Sequence, residues 1–63
     1  SPMHALTHER LCRVRFDLEN AQGDVSVTET ALRWGFSHLG RFAADYRKTF
    51  GERPSDTARR AAY

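Results

Sequence analysis

Residues 26–54 read SVTETALRWGFSHLGRFAADYRKTFGERP, and their helix signals predict two short helices joined by a glycine corner. Ser26 and Glu29 have the spacing of a capping box, in which the serine hydroxyl accepts from the backbone N–H of Glu29 and the glutamate returns a bond to Ser26. A helix is therefore predicted over 27–34. Gly35 is expected to end it, because glycine adopts the left-handed conformation without a Cβ clash.

A second helix is predicted over 38–50, with Ser37 as its N-cap candidate and Gly51 at its end. Its apolar residues recur at the spacing of one helical face; they are Leu39, Phe42, Ala43, Tyr46 and Phe50. We expect this face to pack against Leu32, Phe36 and an earlier helix, with Trp34 also in the core. Two helices that meet at a short glycine turn form a helix-turn-helix unit.

The same stretch resembles the signature of the AraC/XylS family of bacterial transcription regulators. The matching features are Gly35-Phe36, Phe42, the aromatic Tyr46, the basic pair Arg47-Lys48 and the ending Phe50-Gly51-x-x-Pro54. Residues 38–43 and 54–57 are most similar to the XylS-like branch. Ala44 and Arg53 depart from the family pattern, since many members carry a basic residue at the first position and Ser or Thr at the second.

The resemblance implies that the complete DNA-binding unit has two helix-turn-helix motifs joined by a long helix, and that this chain is its second half. It also implies an upstream helix-turn-helix motif and an effector-binding domain. Ser1-Pro2 opens a helix much as Arg53-Pro54-Ser55 opens the last one, which agrees with a preceding motif. The implied partners are double-stranded promoter DNA and, for the full-length protein, RNA polymerase.

The expected fold class is all-α, a homeodomain-like helix-turn-helix of about four helices with a long N-terminal linker helix. The first helix is predicted over 2–20, and its apolar line is Thr7, Leu11, Val14 and Leu18, with Cys12 and Phe16 beside it. A polar loop follows over 20–24, and the last helix is predicted over 55–62. We expect residues 1–22 to form the linker helix and residues 23–63 the helix-turn-helix subdomain, within one compact domain.

Charge is unevenly distributed along the chain, although the net charge is only +2. Residues 1–32 contain three basic and five acidic side chains, whereas residues 33–63 contain seven basic and three acidic ones. Nine of the ten basic residues are arginine, whose planar fork suits phosphates and guanine edges. This pattern favours a nucleic-acid surface on the second half, and the alternative is an ordinary solvated arginine-rich face.

The N-terminal part of the 38–50 helix is the part that would enter a major groove. His38 and Arg41 are candidates for hydrogen bonds to bases or phosphates, Gly40 for close backbone approach, and Ala44 for contact with a thymine methyl group. The other candidate DNA-binding residues are Thr28, Ser37, Leu39, Arg47 and Lys48. Arg47 and Lys48 suit phosphates, Leu39 suits either the core or the groove, and the amides near Val27 and Thr28 suit a further phosphate. Asp45 is expected to pair with Arg41 or Lys48.

Nothing in the sequence predicts catalysis or a cofactor. Paired carboxylates, a nucleophile elbow and a phosphate loop are not apparent. His4 and His8 are four residues apart, a metal-chelating spacing, but they are interpreted as a surface pair because no third ligand is positioned. Cys12 is the single cysteine and is expected to be half-buried, in a protein of the reducing cytoplasm. No apolar run approaches the roughly 20 residues of a membrane helix.

Two other functions remain open at this stage. The outer face of the 38–50 helix could meet a protein such as RNA polymerase or its sigma factor. Alternatively, this half could anchor phosphates without sequence preference, with specificity in the upstream motif. Replacement of Arg41 by alanine separates groove binding from the protein-interaction function. Lost DNA affinity with helicity kept favours groove binding, whereas intact DNA binding with lost partner binding favours the alternative.

Overall fold

The computed structural model describes the backbone of residues 2–21 and 25–61 and the side chains of residues 5–21 and 25–61. It contains α1 (Pro2–Asn20), α2 (Val27–Arg33), α3 (Leu39–Phe50) and α4 (Pro54–Ala61). The described residues form helices, turns and loops only, which confirms the predicted all-α fold class. Residue 62 of the predicted last helix and residues 22–24 of the predicted loop lie outside the described residues.

Helix α2 is capped by Ser26 and closed at Gly35, as its sequence predicts. However, the predicted return bond from Glu29 to Ser26 is not among the described contacts, and the helix ends at Arg33, one residue before the predicted end. The hydroxyl of Ser26 accepts from the backbone N–H of Glu29 at 3.1 Å. At the other end, Gly35 is left-handed with φ 92°, and the N–H of Phe36 donates to the carbonyl of Ala31 at 3.0 Å. This last bond is characteristic of a Schellman closure, which turns the chain sharply without leaving the final carbonyls unpaired.

Helix α3 begins one residue later than predicted. Its N-cap is His38, whose carbonyl accepts from the N–H of Phe42 at 2.9 Å, and no side chain caps the first turn. The prediction of Ser37 as N-cap was therefore wrong, because Ser37 precedes the first helical hydrogen bond by one residue. Gly51 ends the helix as predicted, with φ 78° and its N–H donating to the carbonyl of Arg47 at 2.8 Å.

Helix α4 begins at Pro54, one residue before the predicted start. Proline suits the first helical position because its fixed φ is helical and the amide it lacks would be unpaired there. The carboxylate of Asp56 accepts from the backbone N–H of Arg53 at 3.1 Å. This contact is the reciprocal half of a capping box, and it fixes the start of α4.

The core is small and depends on the first helix. The buried apolar residues are Leu11, Val14, Leu18, Ala31, Phe42 and Tyr46, of which the first three belong to α1. Trp34 and Phe36 are partly buried and pack against this core. Thr7 is half-buried, whereas Phe16 is 63% exposed, so the apolar face of α1 is narrower than its sequence suggests.

One expected packing contact is corrected by the structure. Leu32 was expected to cover the apolar face of α3, but its side chain is 53% exposed. Helix α2 has only seven residues, and its inward positions are taken by Thr30 and Ala31, both buried. The next residue along the helix is consequently turned about 100° away from them. Leu32 thus lies on the outer side of α2.

Aromatic rings connect the glycine corner to the end of α3. The ring centroids of Phe36 and Phe42 are 4.8 Å apart, those of Phe42 and Tyr46 are 5.9 Å apart, and those of Tyr46 and Phe50 are 4.7 Å apart. The guanidinium of Arg15 on α1 lies 4.7 Å from the centroid of Phe50. This row fixes which face of α3 is directed into the protein and which is directed outward.

Two side-chain links hold the helices at polar positions. The indole N–H of Trp34 donates to the carboxylate of Asp17 at 2.7 Å, which ties the end of α2 to α1. Between α3 and α4, the hydroxyls of Tyr46 and Thr57 are 2.7 Å apart, and both residues are fully buried.

Among the described residues, each helix is too short or too polar to cross a bilayer.

Candidate nucleic-acid interface

The outward face of α3 is basic and sterically open. Its exposed residues among the predicted site positions are Gly40, Arg41, Ala44, Arg47 and Lys48, and the exposed Ser37 and His38 precede them. Leu39 is partly buried and packs against the core. The structure therefore brings the α3 candidates together on one side of the protein, where a long convex ligand can reach them.

Arg41, Ala44 and Lys48 form the centre of this surface. Their spacing of three and four residues places them on one line of the helix, opposite the buried Phe42 and Tyr46. The rise from residue 41 to residue 48 is about 10 Å, which corresponds to about three base steps of duplex DNA. Because Ala44 is short, the two longer cations project past it on either side.

At the N-terminal end of α3, the surface is a shallow concavity. It is lined by Ser37, His38, Leu39, Gly40 and Arg41. A Cβ built on Gly40 would meet no described atom within 4 Å apart from the adjoining backbone of its own helix. The fold therefore does not require glycine at this position. A side chain here would affect only a molecule that approaches from outside.

The cations of α3 differ in their pairing from five of the other arginines of the chain. Among the described side chains, Arg41, Arg47 and Lys48 form no ion pair with a carboxylate. By contrast, Arg13, Arg15, Arg33, Arg53 and Arg60 each have a carboxylate partner. The donors of the α3 cations are thus not engaged by the protein itself.

Asp45 was expected to neutralise part of this surface. The structure pairs it with neither Arg41 nor Lys48 among the described contacts, so that prediction was wrong. Asp45 is half-buried and lies toward the flank of α3, whereas the two cations are exposed at its centre. In the described part of the chain, Asp45 is therefore not engaged in an ion pair with the cations of this surface.

The start of α2 offers less to an anion than its sequence suggests. Thr28 is exposed, as a phosphate contact requires. However, the hydroxyl of Ser26 already accepts from the amide of Glu29, and the carboxylate of Glu29 belongs to the same first turn. A phosphate near Thr28 would have to approach this negative charge.

The thiol of Cys12 is exposed, which corrects the expectation of a half-buried cysteine. Its sulfur lies 3.6 Å from Nε2 of His8, one turn earlier on α1. The side chain of His4 lies outside the described residues. Within the described part of the chain, no three histidine, cysteine or acidic side chains converge on a point that could hold a metal ion.

These features define a class of protein. A row of aromatic rings runs along the inward face of α3, with Arg15 of α1 over its last ring. A glycine corner orients α3 relative to α2, and the outward face of α3 carries cations that have no carboxylate partner among the described side chains, around short residues. This is the arrangement of a helix-turn-helix DNA-binding module.

Sequence comparison identifies the family. Residues 1–60 match the family model described as "Helix-turn-helix domain". The chain is 52% identical over 58 residues to XylDLEGF operon transcriptional activator 2 of Pseudomonas putida, covering 90% of the chain and 37% of that protein. The chain belongs to the AraC/XylS-type helix-turn-helix family of transcription regulators, and it is a sequence-specific DNA-binding module of that family.

Other relatives agree with this assignment. XylDLEGF operon transcriptional activator 1 of Pseudomonas putida is 49% identical over 61 residues, which cover 95% of the chain and 18% of that protein. The probable thc operon regulatory protein of Rhodococcus erythropolis is 47% identical over 60 residues, 94% of the chain and 18% of that protein. The chain thus spans a minor part of each relative's length. No solved structure is significantly similar to it.

Proposed function

We propose that α3 is the recognition helix and inserts into the major groove of promoter DNA. The observation that carries this proposal is the set of three unpaired cations on α3, which surround the short residues Gly40 and Ala44. A major groove about 12 Å wide admits one helix, and close approach requires small residues where backbone and base edges meet.

The residues of this surface have different proposed roles. Arg41 and His38 donate hydrogen bonds to base edges or nearby phosphates, and Ser37 lies beside them at the entrance of the groove. Ala44 contacts a thymine methyl group. Arg47 and Lys48 bind phosphates and fix the position of the helix along the groove, which is the usual role of backbone contacts. Leu39 stabilises the position of α3 mainly by packing against the core. Thr28 binds a further phosphate at the start of α2.

For the complete protein, we propose the organisation that the family resemblance implies. Residues 1–22 serve as the linker helix and residues 23–63 as the second helix-turn-helix subdomain. An upstream motif and an effector-binding domain complete the regulator, which contacts RNA polymerase in the cytoplasm and is not an enzyme. The names of its relatives describe operon activators, and we extend operon regulation to this protein on the basis of that similarity.

The test is selection from a pool of random duplexes, followed by affinity measurement across a salt series. The unaltered chain is expected to enrich one sequence, with log affinity falling by about 0.9 per neutralised phosphate for each unit of log salt. A variant with Arg41, Arg47 and Lys48 all replaced by alanine is expected to lose both enrichment and most of the slope.

The matched control replaces Arg13, Arg33 and Arg53 by alanine, which removes the same charge from arginines that already have carboxylate partners. It is expected to keep the enriched sequence. Equal losses in both variants would indicate that net charge alone matters, and the α3 interface would then be rejected. A salt slope without enrichment would leave this half as a non-specific phosphate anchor.

A further inference from the structure

A side chain from α1 lies against the corner of the helix-turn-helix. A Cβ built on Gly35 would lie 3.3 Å from Nη1 of Arg10 and 3.6 Å from its Cζ. The guanidinium of Arg10 therefore lies against the backbone of the corner, although 25 residues separate the two along the chain. Gly35 has no side chain to hold it away.

Arg10 differs from the neighbouring arginines of the same helix. Arg13 lies 4.0 Å from the carboxylate of Glu9, and Arg15 lies 3.5 Å from that of Glu19. Among the described side chains, Arg10 pairs with no carboxylate, and its side chain is exposed. In this respect it is like the cations of α3.

The position of the corner adds a second argument. Gly35 is followed within two residues by Ser37, which opens the exposed surface at the start of α3. A guanidinium has five N–H donors in a planar fork, so a group that rests with one part on the corner keeps other donors for an anion. An exposed cation beside a groove-binding helix is well placed for a phosphate of the flanking backbone.

We propose that Arg10 is a further DNA-binding residue, which binds a phosphate from α1 at the edge of the site that α3 reads. This inference rests on the proposed function of α3. It makes α1 a contributor to DNA affinity in addition to its part in the core, without a role in base selection.

The experiment compares Arg10→Ala and Arg10→Lys with the control Arg13→Ala, using the full chain and the duplex enriched by the unaltered protein. Arg10→Ala is expected to lower the affinity for this duplex and for an unrelated duplex by the same factor. The factor is on the order of tenfold for one charged hydrogen-bonded contact. Its slope of log affinity against log salt should be smaller by about 0.9. Arg10→Lys should keep the slope, and Arg13→Ala should keep both slope and affinity.

Phosphate ethylation interference locates the contact. Ethylation of one flanking phosphate should weaken DNA binding by the unaltered chain and by Arg13→Ala but not binding by Arg10→Ala. If Arg10→Ala lowers the melting temperature and leaves slope and interference pattern unchanged, Arg10 only packs against the corner and the inference is overturned. If the unaltered chain fails to bind any duplex selectively, the proposed function fails first and Arg10 loses its role with it.

Discussion

The hydroxyls of Tyr46 and Thr57 meet at 2.7 Å inside the protein, where they join α3 to α4. The Thr57 hydroxyl also donates to the carboxylate of Glu52, which accepts in addition from Arg60. Since threonine has one hydroxyl proton, Tyr46 must be the donor to Thr57. The side of the helix opposite the proposed DNA-binding surface is thus held by a directed chain of hydrogen bonds. Burial is the main cause of the raised pKa of Tyr46.

Replacement of Tyr46 by phenylalanine is expected to lower the free energy of unfolding by about 1 kcal/mol, because the buried Thr57 oxygen loses its donor. For a domain of this size, this corresponds to a fall in melting temperature of roughly 4–8 °C. Thermal unfolding followed by circular dichroism measures the change. Combining the substitution with Thr57→Val in a double-mutant cycle isolates the pair. A coupling energy near zero would show that the contact adds nothing to stability.

Acid should destabilise the fold in part through Glu52. Hydrogen bonds from Thr57 and then Arg60 lower the pKa of Glu52 below its ordinary value of 4.5. The unfolded chain therefore binds the proton more readily than the folded chain. The stability that ionised Glu52 contributes is consequently present above about pH 4.5 and is lost as pH falls below it. In urea unfolding between pH 7 and pH 3, the free energy of unfolding of Glu52→Gln should fall less steeply with acid than that of the unaltered protein. The exposed Glu9, replaced likewise, serves as the control, and equal acid slopes in all proteins would contradict this assignment.

Arg41 and Arg47 should behave differently when each is replaced by alanine. Loss of Arg41 is expected to reduce the free energy of DNA binding by about 1–3 kcal/mol, as for a side chain that reads base edges. It should also relax the sequence preference at one or two base positions. Loss of Arg47 is expected to weaken all duplexes alike and to reduce the salt slope by about 0.9. Repeating the sequence selection with both variants distinguishes these outcomes. An unchanged preference after loss of Arg41 would move base reading elsewhere on the surface.

Gly40→Ala should have opposite effects on stability and on DNA binding. The fold leaves open space at this position, and alanine is the better helix former by up to about 1 kcal/mol, so the melting temperature should rise. DNA affinity should fall because the added methyl group faces the groove. Gly35→Ala provides the contrast, since φ 92° is strained for alanine and stability should fall. A Gly40→Ala variant with unchanged DNA affinity would argue against close backbone approach there.

The local signals of the sequence predicted the start of α2 and the glycine ends of α2 and α3, but not the N-cap of α3. Ser26, Gly35 and Gly51 act through hydrogen bonds and φ angles within a few residues of themselves, so their effect can be inferred without knowledge of the fold. The apolar spacing of α3 likewise predicted the buried Phe42 and Tyr46 and left the proposed interface on the opposite side.

Contacts between distant residues could not be predicted in this way. Asp17 meets Trp34, and Tyr46 meets Thr57, only after the helices have packed. The exposure of Leu32 has a similar origin, because a helix of seven residues completes scarcely two turns and gives little periodicity to interpret. The position of Arg10 on the corner also depends on packing, so the sequence alone offered no signal for it.

The share of the core supplied by α1 has a consequence for engineering hybrid regulators. Leu11, Val14 and Leu18 are as deeply buried as Ala31, Phe42 and Tyr46, with which they form one core. A chimaera whose junction falls between α1 and α2 would join a recognition helix to a foreign hydrophobic partner. Transplanting the DNA specificity of this protein therefore requires a junction before Leu11, so that the helix and the surface it supports are inherited together.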